Sequence, residues 1–263
     1  MLMTTFSTSD AAALLERLKP LIRDAGQVIM NIYATDFDVT KKGDDSPVTQ
    51  ADQKAEAVIL AGLKQIAPDI PVVAEEAVAA GDIPDVSDRF FLVDPLDGTK
   101  EFISRNGEFT VNIALIDHGR PVLGLVYAPA IGRLFTGAAG LGAWLEEDGQ
   151  AQREIRCRAV PADGLTVVAS RSHGDEAALD AFLNGRKVAS RTNAGSSLKL
   201  CLVAAGEADL YPRLGRTMEW DIAAGDAVLR AAGGRVTVVA DGADLRYGKP
   251  GFDNPHFAAS GLN

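Results

Sequence analysis

Apolar residues recur at helical spacing from Asp10 to about Tyr33 (Leu14, Leu15, Leu18, Ile22, Ala25, Val28, Ile29, Ile32), with Thr8, Ser9 and Asp10 placed to cap the start. The pattern predicts an amphipathic helix. Pro20 inside it predicts a bend or a split, because an interior proline removes a hydrogen bond and crowds the preceding turn. Residues 38–50 are polar and turn-rich and read as a flexible surface loop. A second helical pattern over Ala51–Ile66 puts Asp52 in its first turn. Pro71–Ala74 is a short apolar run that ends at Glu75-Glu76, and residues 78–88 read as a mobile connection. The run Phe90-Phe91-Leu92-Val93 predicts a buried strand whose exposed end is the turn Asp94-Pro95-Leu96-Asp97-Gly98-Thr99. Phe109–Ile116 and Val122–Tyr127 form the two arms of a hairpin around Asp117–Pro121, and Gly132–Thr136 and Gly142–Leu145 continue the antiparallel pattern.

The chain turns polar around residues 148–164, which marks a boundary between residues 1–158 and 159–263. Beyond it, strands (165–170, 187–190, 208–211, 235–239) alternate with helices (175–183, 197–205, 221–232). The alternation implies an α/β half following an α+β half. No internal repeat or low-complexity segment is evident.

Composition narrows the function. A net charge of −10 over 263 residues argues against a nucleic-acid surface, which needs clustered Lys and Arg. Small anionic substrates stay open, provided cations offset the field. The two cysteines, Cys157 and Cys201, have no metal-site spacing and read as buried thiols of a reducing compartment. No stretch approaches the roughly 20 apolar residues of a membrane span, so a cytoplasmic protein is expected.

The candidate chemistry lies in carboxylates at strand ends and helix starts: Asp52, Glu75, Asp94, Asp97 and Asp221. Gathered in one place they would repel one another and raise their pKa values unless cations bind. Magnesium suits such a set, since it prefers octahedral oxygen ligation and keeps several waters. Blander readings stand beside this one. An acidic turn after a strand is commonly a loop with Asx hydrogen bonds, and Glu75-Glu76 could be a solvated pair. The sequence has no Gly-x-x-x-x-Gly-Lys-Ser/Thr, His-Glu-x-x-His or Gly-x-Ser-x-Gly. Asp94 and Asp97 are separated by two residues, where a covalent aspartyl phosphatase typically has one between its pair. Direct attack by a water activated on metal is therefore preferred.

In its blocks Ser46-Pro47-Val48-Thr49 through Asp52, Glu75-Glu76, Asp94 through Phe102, Gly107 through Ala114, and Trp220-Asp221 through Gly225, the chain resembles the inositol monophosphatase superfamily. These are magnesium-dependent, lithium-sensitive phosphatases. Within the superfamily the chain most resembles the bacterial branch that hydrolyses adenosine 3′,5′-bisphosphate to AMP in sulfur assimilation. The resemblance implies a layered αβαβα sandwich of the sugar-phosphatase type, with an antiparallel sheet in the N-terminal half and a mixed sheet in the C-terminal half. It implies two or three Mg2+ held by Glu75, Asp94, the Leu96 carbonyl, Asp97 and Asp221. Asp52 and Thr99, with Glu75, would activate the attacking water, and the N–H groups of Gly98 and Thr99 would hold the reacting phosphate. A homodimer and peripheral contact with the inner membrane are compatible with the family.

Substrate identity must come from the second half. By the same resemblance Ser170, His173, Ser196, Lys199 and Arg213 would face the sugar, base and second phosphate, with Lys199 and Arg213 supplying charge. Read without it, Lys199 could be an exposed helix residue, Ser196 or Ser197 a cap, Tyr211 a core aromatic and His173 a surface residue. Glu219, before Trp220, departs from the family pattern and predicts an altered pocket edge. Residues 244–256 have no assignable chemistry. An inositol or other sugar monophosphatase on the same scaffold is the alternative activity. A non-catalytic metal- or phosphate-binding protein is the alternative class.

Overall fold

The computed structural model describes residues 6–41, 47–170 and 176–262. Ser7 caps the first helix, α1 (Thr8–Tyr33): its Oγ accepts from Asp10 N, and Asp10 answers the Ser7 N–H. The cap thus lies one residue before the Thr8–Asp10 stretch that the pattern pointed to. Pro20 does not split the helix, which continues through it to Tyr33.

The supposed loop that follows contains a two-stranded ribbon, β1 (Val39–Lys41) antiparallel to β2 (Pro47–Thr49), and residues 42–46 lie outside the described part. Next come α2 (Gln50–Ile66), β3 (Val72–Ala74), α3 (Glu75–Ala79) and β4 (Arg89–Asp97), then α4 (Thr99–Ile103), β5 (Thr110–Asp117), β6 (Arg120–Ala128), β7 (Arg133–Ala138), β8 (Gly142–Glu147) and β9 (Arg153–Ile155). The strands β3 to β9 form one seven-stranded sheet in sequence order. It is antiparallel throughout except at one edge, where β3 runs parallel to β4. The α3 segment and the connection across residues 80–88, which has neither helix nor strand, form the crossover that a parallel pair requires.

The second half comprises β10 (Leu165–Ser170), α5 (Glu176–Leu183), β11 (Val188–Ala194), α6 (Leu198–Ala204), β12 (Leu210–Arg213), α7 (Glu219–Ala231), β13 (Arg235–Val238) and β14 (Phe257–Ser260). Its five-stranded sheet has the order β11-β10-β12-β14-β13. The β10 pairings are parallel and the β14 pairings antiparallel.

Two cores and a small third one stack these elements into five layers. Leu18, Ile22, Ile29, Ile59 and Leu63 of α1 and α2 pack on Phe91, Ile113 and Leu125, on one face of the larger sheet. Leu200, Trp220, Val228 and Leu229 of α6 and α7 fill the space between the sheets, against Phe90, Leu92, Val126, Val236 and Phe257. Leu183, with Leu179 and Phe182, covers the outer face of the smaller sheet over Val167 and Leu210. Alternate residues of β4 therefore enter different cores, as the pleat demands. The β4 end projects into the seam where α2, α6 and α7 meet. Among the described residues no helix is long and apolar enough to cross a membrane.

Candidate active site

The last turn of β4 is built around a register break. Asp94 pairs with Asn112 and Asp97 with Thr110, so Pro95 and Leu96 bulge out of the ladder. Leu96 N donates to Asp94 Oδ1 at 3.0 Å, an Asx-type closure, and the same carboxyl also meets Glu75. Gly98 follows at φ 92°, and a Cβ there would collide with Ser196 Oγ. Only glycine fits both the left-handed backbone and that close approach.

Asp52 sits at the third position of α2. Its Oδ2 accepts from Thr49 N and Thr49 Oγ1, both at 2.8 Å, and completes a capping box. Oδ1 is then left for Thr99, whose Oγ1 donates to it at 3.1 Å across 47 residues of chain. The α7 start repeats the device: Met218 N donates to Asp221 Oδ2 at 2.8 Å. Asp97 Oδ2 accepts from Ser197 N at 2.7 Å, and Asn112 Nδ2 lies 3.4 Å away. Ser197 Oγ donates in turn to the Asp221 carbonyl. Asp97 and Asp221, 124 residues apart by their numbers, are thus stitched together through one serine.

Burial decides the electrostatics. Asp52, Asp94 and the neighbouring Thr110 and Asn112 are almost inaccessible to solvent. Burial first, then the charges of Glu75, Asp97 and Asp221, pushes Asp94 well above the usual carboxylate range. Asp221 is raised by burial and by Asp97 and Glu75. Burial also raises Asp97, to about 6, although Lys199 and the Ser197 N–H work against it. Asp52 is raised by burial, with the Thr49 hydrogen bonds opposing. Among the described residues, Asp94, Asp97 and Asp221 have no Lys, Arg or His partner within ion-pair distance.

A cleft of about 270 Å³ opens beside this cluster. Its walls include Glu75, Asp97, Asp221, Gly98 and Thr99, and also Ser170, Ser196, Lys199, Tyr211 and Arg213. Asp52, Asp94 and Leu96 lie behind the lining. Most of the candidate residues therefore share one place; His173 lies outside the described residues. No three acidic, His or Cys side chains among the described residues stand in a closed ligand set. The donor chemistry nonetheless fits a hard divalent cation: oxygen ligands only, mutually repelling and, among the described residues, with no Lys, Arg or His in ion-pair contact with Asp94, Asp97 or Asp221.

Three residues do something different from what their sequence context suggested. Lys199 is not an exposed helix residue. It is buried, donates to the carbonyls of Ala194 (3.2 Å) and Ser196 (2.6 Å), and sits over the Tyr211 ring. Burial pulls its pKa down to about 8. Ser196 Oγ lies 2.7 Å from the Asp97 carbonyl and 2.8 Å from that of Glu108, so its hydroxyl ties the two halves together. Glu219 does not shape the pocket edge. It is wholly buried and accepts from Gly248 N, Lys249 N and Lys249 Nζ, which anchors the 244–256 segment to the start of α7.

Ser197, Asn112, Glu108 and Arg216 also belong to the site neighbourhood; sequence reasoning offered Ser197 only as a cap or as part of a substrate-facing stretch and gave the other three no role of their own. Ser197, Asn112 and Glu108 act through contacts across 80 residues or more and beside the left-handed backbone of Ser196 (φ 50°), and Arg216 through Asp253, 37 residues along, none of which a local pattern announces.

Comparison with known proteins agrees with this geometry. The sequence profile of the inositol monophosphatase family matches residues 10–260. The 3′(2′),5′-bisphosphate nucleotidase CysQ of Escherichia coli K12 is 48% identical over 250 residues, covering 94% of this chain and 99% of that protein. The protein of the same name from Salmonella typhimurium is 51% identical over 225 residues, covering 85% and 89%. Among solved structures, CysQ from Bacteroides thetaiotaomicron, described as a bacterial member of the inositol monophosphatase family, superposes with a TM-score of 0.78 at 38% identity, covering 96% of this chain and 98% of that one.

Proposed function

The chain belongs to the inositol monophosphatase family, and from that premise we propose that it is a magnesium-dependent 3′(2′),5′-bisphosphate nucleotidase, which removes the 3′-phosphate of adenosine 3′,5′-bisphosphate to leave AMP. The observation that carries this reading is the single cleft in which the carboxylates of Glu75, Asp97 and Asp221 share walls with Lys199 and Arg213. One region suits a phosphate neutralised by cations, and the guanidinium suits a second anionic group.

In this reading Glu75, Asp94, the Leu96 carbonyl, Asp97 and Asp221 hold two or three Mg2+. Bound there, the ions would neutralise phosphoryl oxygens and acidify a water. The chain's own residues provide the proton path. Thr99 Oγ1 donates to Asp52 Oδ1, so its lone pairs face outward to accept from an attacking water. The proton gained by Thr99 Oγ1 is matched by the one it passes to Asp52. The raised pKa of Asp52 makes that carboxylate a better acceptor than an exposed aspartate. Thr49 holds Asp52 by two bonds on the opposite oxygen and so fixes the direction of transfer. Backbone N–H groups of Gly98 and Thr99 would hold the reacting phosphate. We also propose that residues 1–158 and 159–263 act as two halves, the first giving the hydrolytic residues and the second closing the cleft with Asp221 and Arg213.

The test is phosphate release from adenosine 3′,5′-bisphosphate and from inositol 1-phosphate, with Mg2+ and with chelator. The nucleotide should be the better substrate and the chelator should abolish both rates. The reverse ranking would support a sugar monophosphatase, and release indifferent to chelation would remove the metal from the scheme.

A further inference from the structure

Resting on the nucleotidase reading, we propose that Arg216, held in place by Asp253, binds the non-reacting phosphate and sets the preference for a bisphosphate over a monophosphate. A phosphate dianion away from the carboxylates needs more than one positive group, preferably guanidinium forks that match its oxygens. Lys199 is a poor candidate because two of its three N–H donors are taken by the Ala194 and Ser196 carbonyls and the side chain is buried. Arg213 lines the cleft, and among the described residues its buried Nε has no hydrogen-bond partner. One of its terminal nitrogens donates to the Arg216 carbonyl at 2.9 Å, which joins the two arginines through the turn after β12.

Arg216 lines the same cleft. Its Nε donates to Asp253 Oδ1 at 2.8 Å, and among the described residues its two terminal nitrogens have no protein partner. That is the arrangement expected of a guanidinium docked by one edge and offered to a ligand by the other.

An exposed pair such as Arg216 and Asp253 would ordinarily fix little. Here the segment carrying Asp253 is itself clamped. Glu219 holds Gly248 and Lys249, Asn254 N donates to the Thr217 carbonyl at 2.9 Å, and Asn254 Nδ2 donates to that of Met218 at 2.7 Å. Met218 and Asp253 are themselves bridged as antiparallel neighbours. Segment 244–256, which had no chemistry in the sequence, thereby becomes the support of a substrate contact.

The experiment compares KM for adenosine 3′,5′-bisphosphate with KM for adenosine 3′-monophosphate, which shares the reacting phosphate and lacks the other. Arg216→Ala should raise the ratio of the first to the second about tenfold, the size of one lost charge-assisted contact, with kcat for both within about twofold. Arg216→Lys should recover part of the ratio, and Asp253→Asn should shift it less and in the same direction. Inhibition by 5′-AMP, which keeps the non-reacting phosphate, should weaken about tenfold in Arg216→Ala, and inhibition by inorganic phosphate should not. An unchanged ratio in an enzyme that still prefers the bisphosphate overturns the role of Arg216 alone. A wild-type enzyme that turns over neither nucleotide overturns the nucleotidase reading and the role of Arg216 with it.

Discussion

Two kinds of buried carboxylate coexist in this molecule. Asp209, at the seam between the halves, is gripped by Arg158 through two bonds of 2.8 and 3.0 Å and accepts a third from Thr166 N at 2.7 Å. Burial alone would raise its pKa, and these bonds outweigh it and hold the carboxyl below the usual range. Glu219 is gripped by Lys249 in the same way, at 2.5 Å. Asp94 is as deeply buried, and Asp97 and Asp221 line the cleft; among the described residues none of the three has a Lys, Arg or His within ion-pair distance, and all three are raised. Asp226 lies between the two. It is paired with Arg230 at 2.8 Å and with the Tyr247 hydroxyl, yet burial still lifts it to about 6. A folded protein tolerates a buried charge when a cation stands next to it. The carboxylates left without one mark where the cation must come from solution.

Substitutions at either kind of carboxylate, and the ion itself, can break that contrast. Asp94→Asn and Asp221→Asn should each lower kcat/KM by about 10²–10³-fold, as expected for the loss of an electrostatic element of the transition state. Thermal unfolding of the same variants without added ions should be unchanged or shifted upward, since a repelling charge has gone. A clear loss of stability there would make these aspartates structural, like Asp209. Asp209→Asn should do the opposite. Kinetic constants stay near wild type while urea unfolding shows a loss of about 3 kcal/mol, because Arg158 is left facing a neutral group. The sign with pH follows from its lowered pKa. The stabilisation is present above the unfolded value, roughly 3.9, and drains away as pH falls through the lower folded value, so wild type and variant should converge in acid. The smallest effect is that of the ion itself. Mg2+ at a hundred times its Kd should stabilise the wild type by about 2.7 kcal/mol and the Asp94→Asn variant by much less. Equal stabilisation of both would mean that the ion binds elsewhere.

Much of this was legible in advance because it was local. The β4 run of apolar residues had to be a buried strand, and a turn containing Asp, Pro and Gly had to end it, so the placement of Asp94, Asp97 and Gly98 followed from short-range sterics. The hairpin of β5 and β6 was equally plain, down to the turn at His118-Gly119. The ribbon at β1 and β2 was missed because three-residue strands show no alternation to read. The parallel edge at β3 was missed because parallel and antiparallel partners need the same apolar residues. The direction is set by a crossover, not by the strand.

The site divides along the same line. Residue types, order and spacing determined by themselves that the chain has strand-end and helix-start carboxylates suited to hard cations, because those features depend on neighbours within a few positions. Only the tertiary structure decided which of them meet, that Ser197 stitches Asp97 to Asp221, that Lys199 is spent on backbone carbonyls, and that Glu219 secures the segment beneath Arg216. Each of those facts is a balance of burial against a partner far along the chain, and the partner becomes known only when the layers have closed.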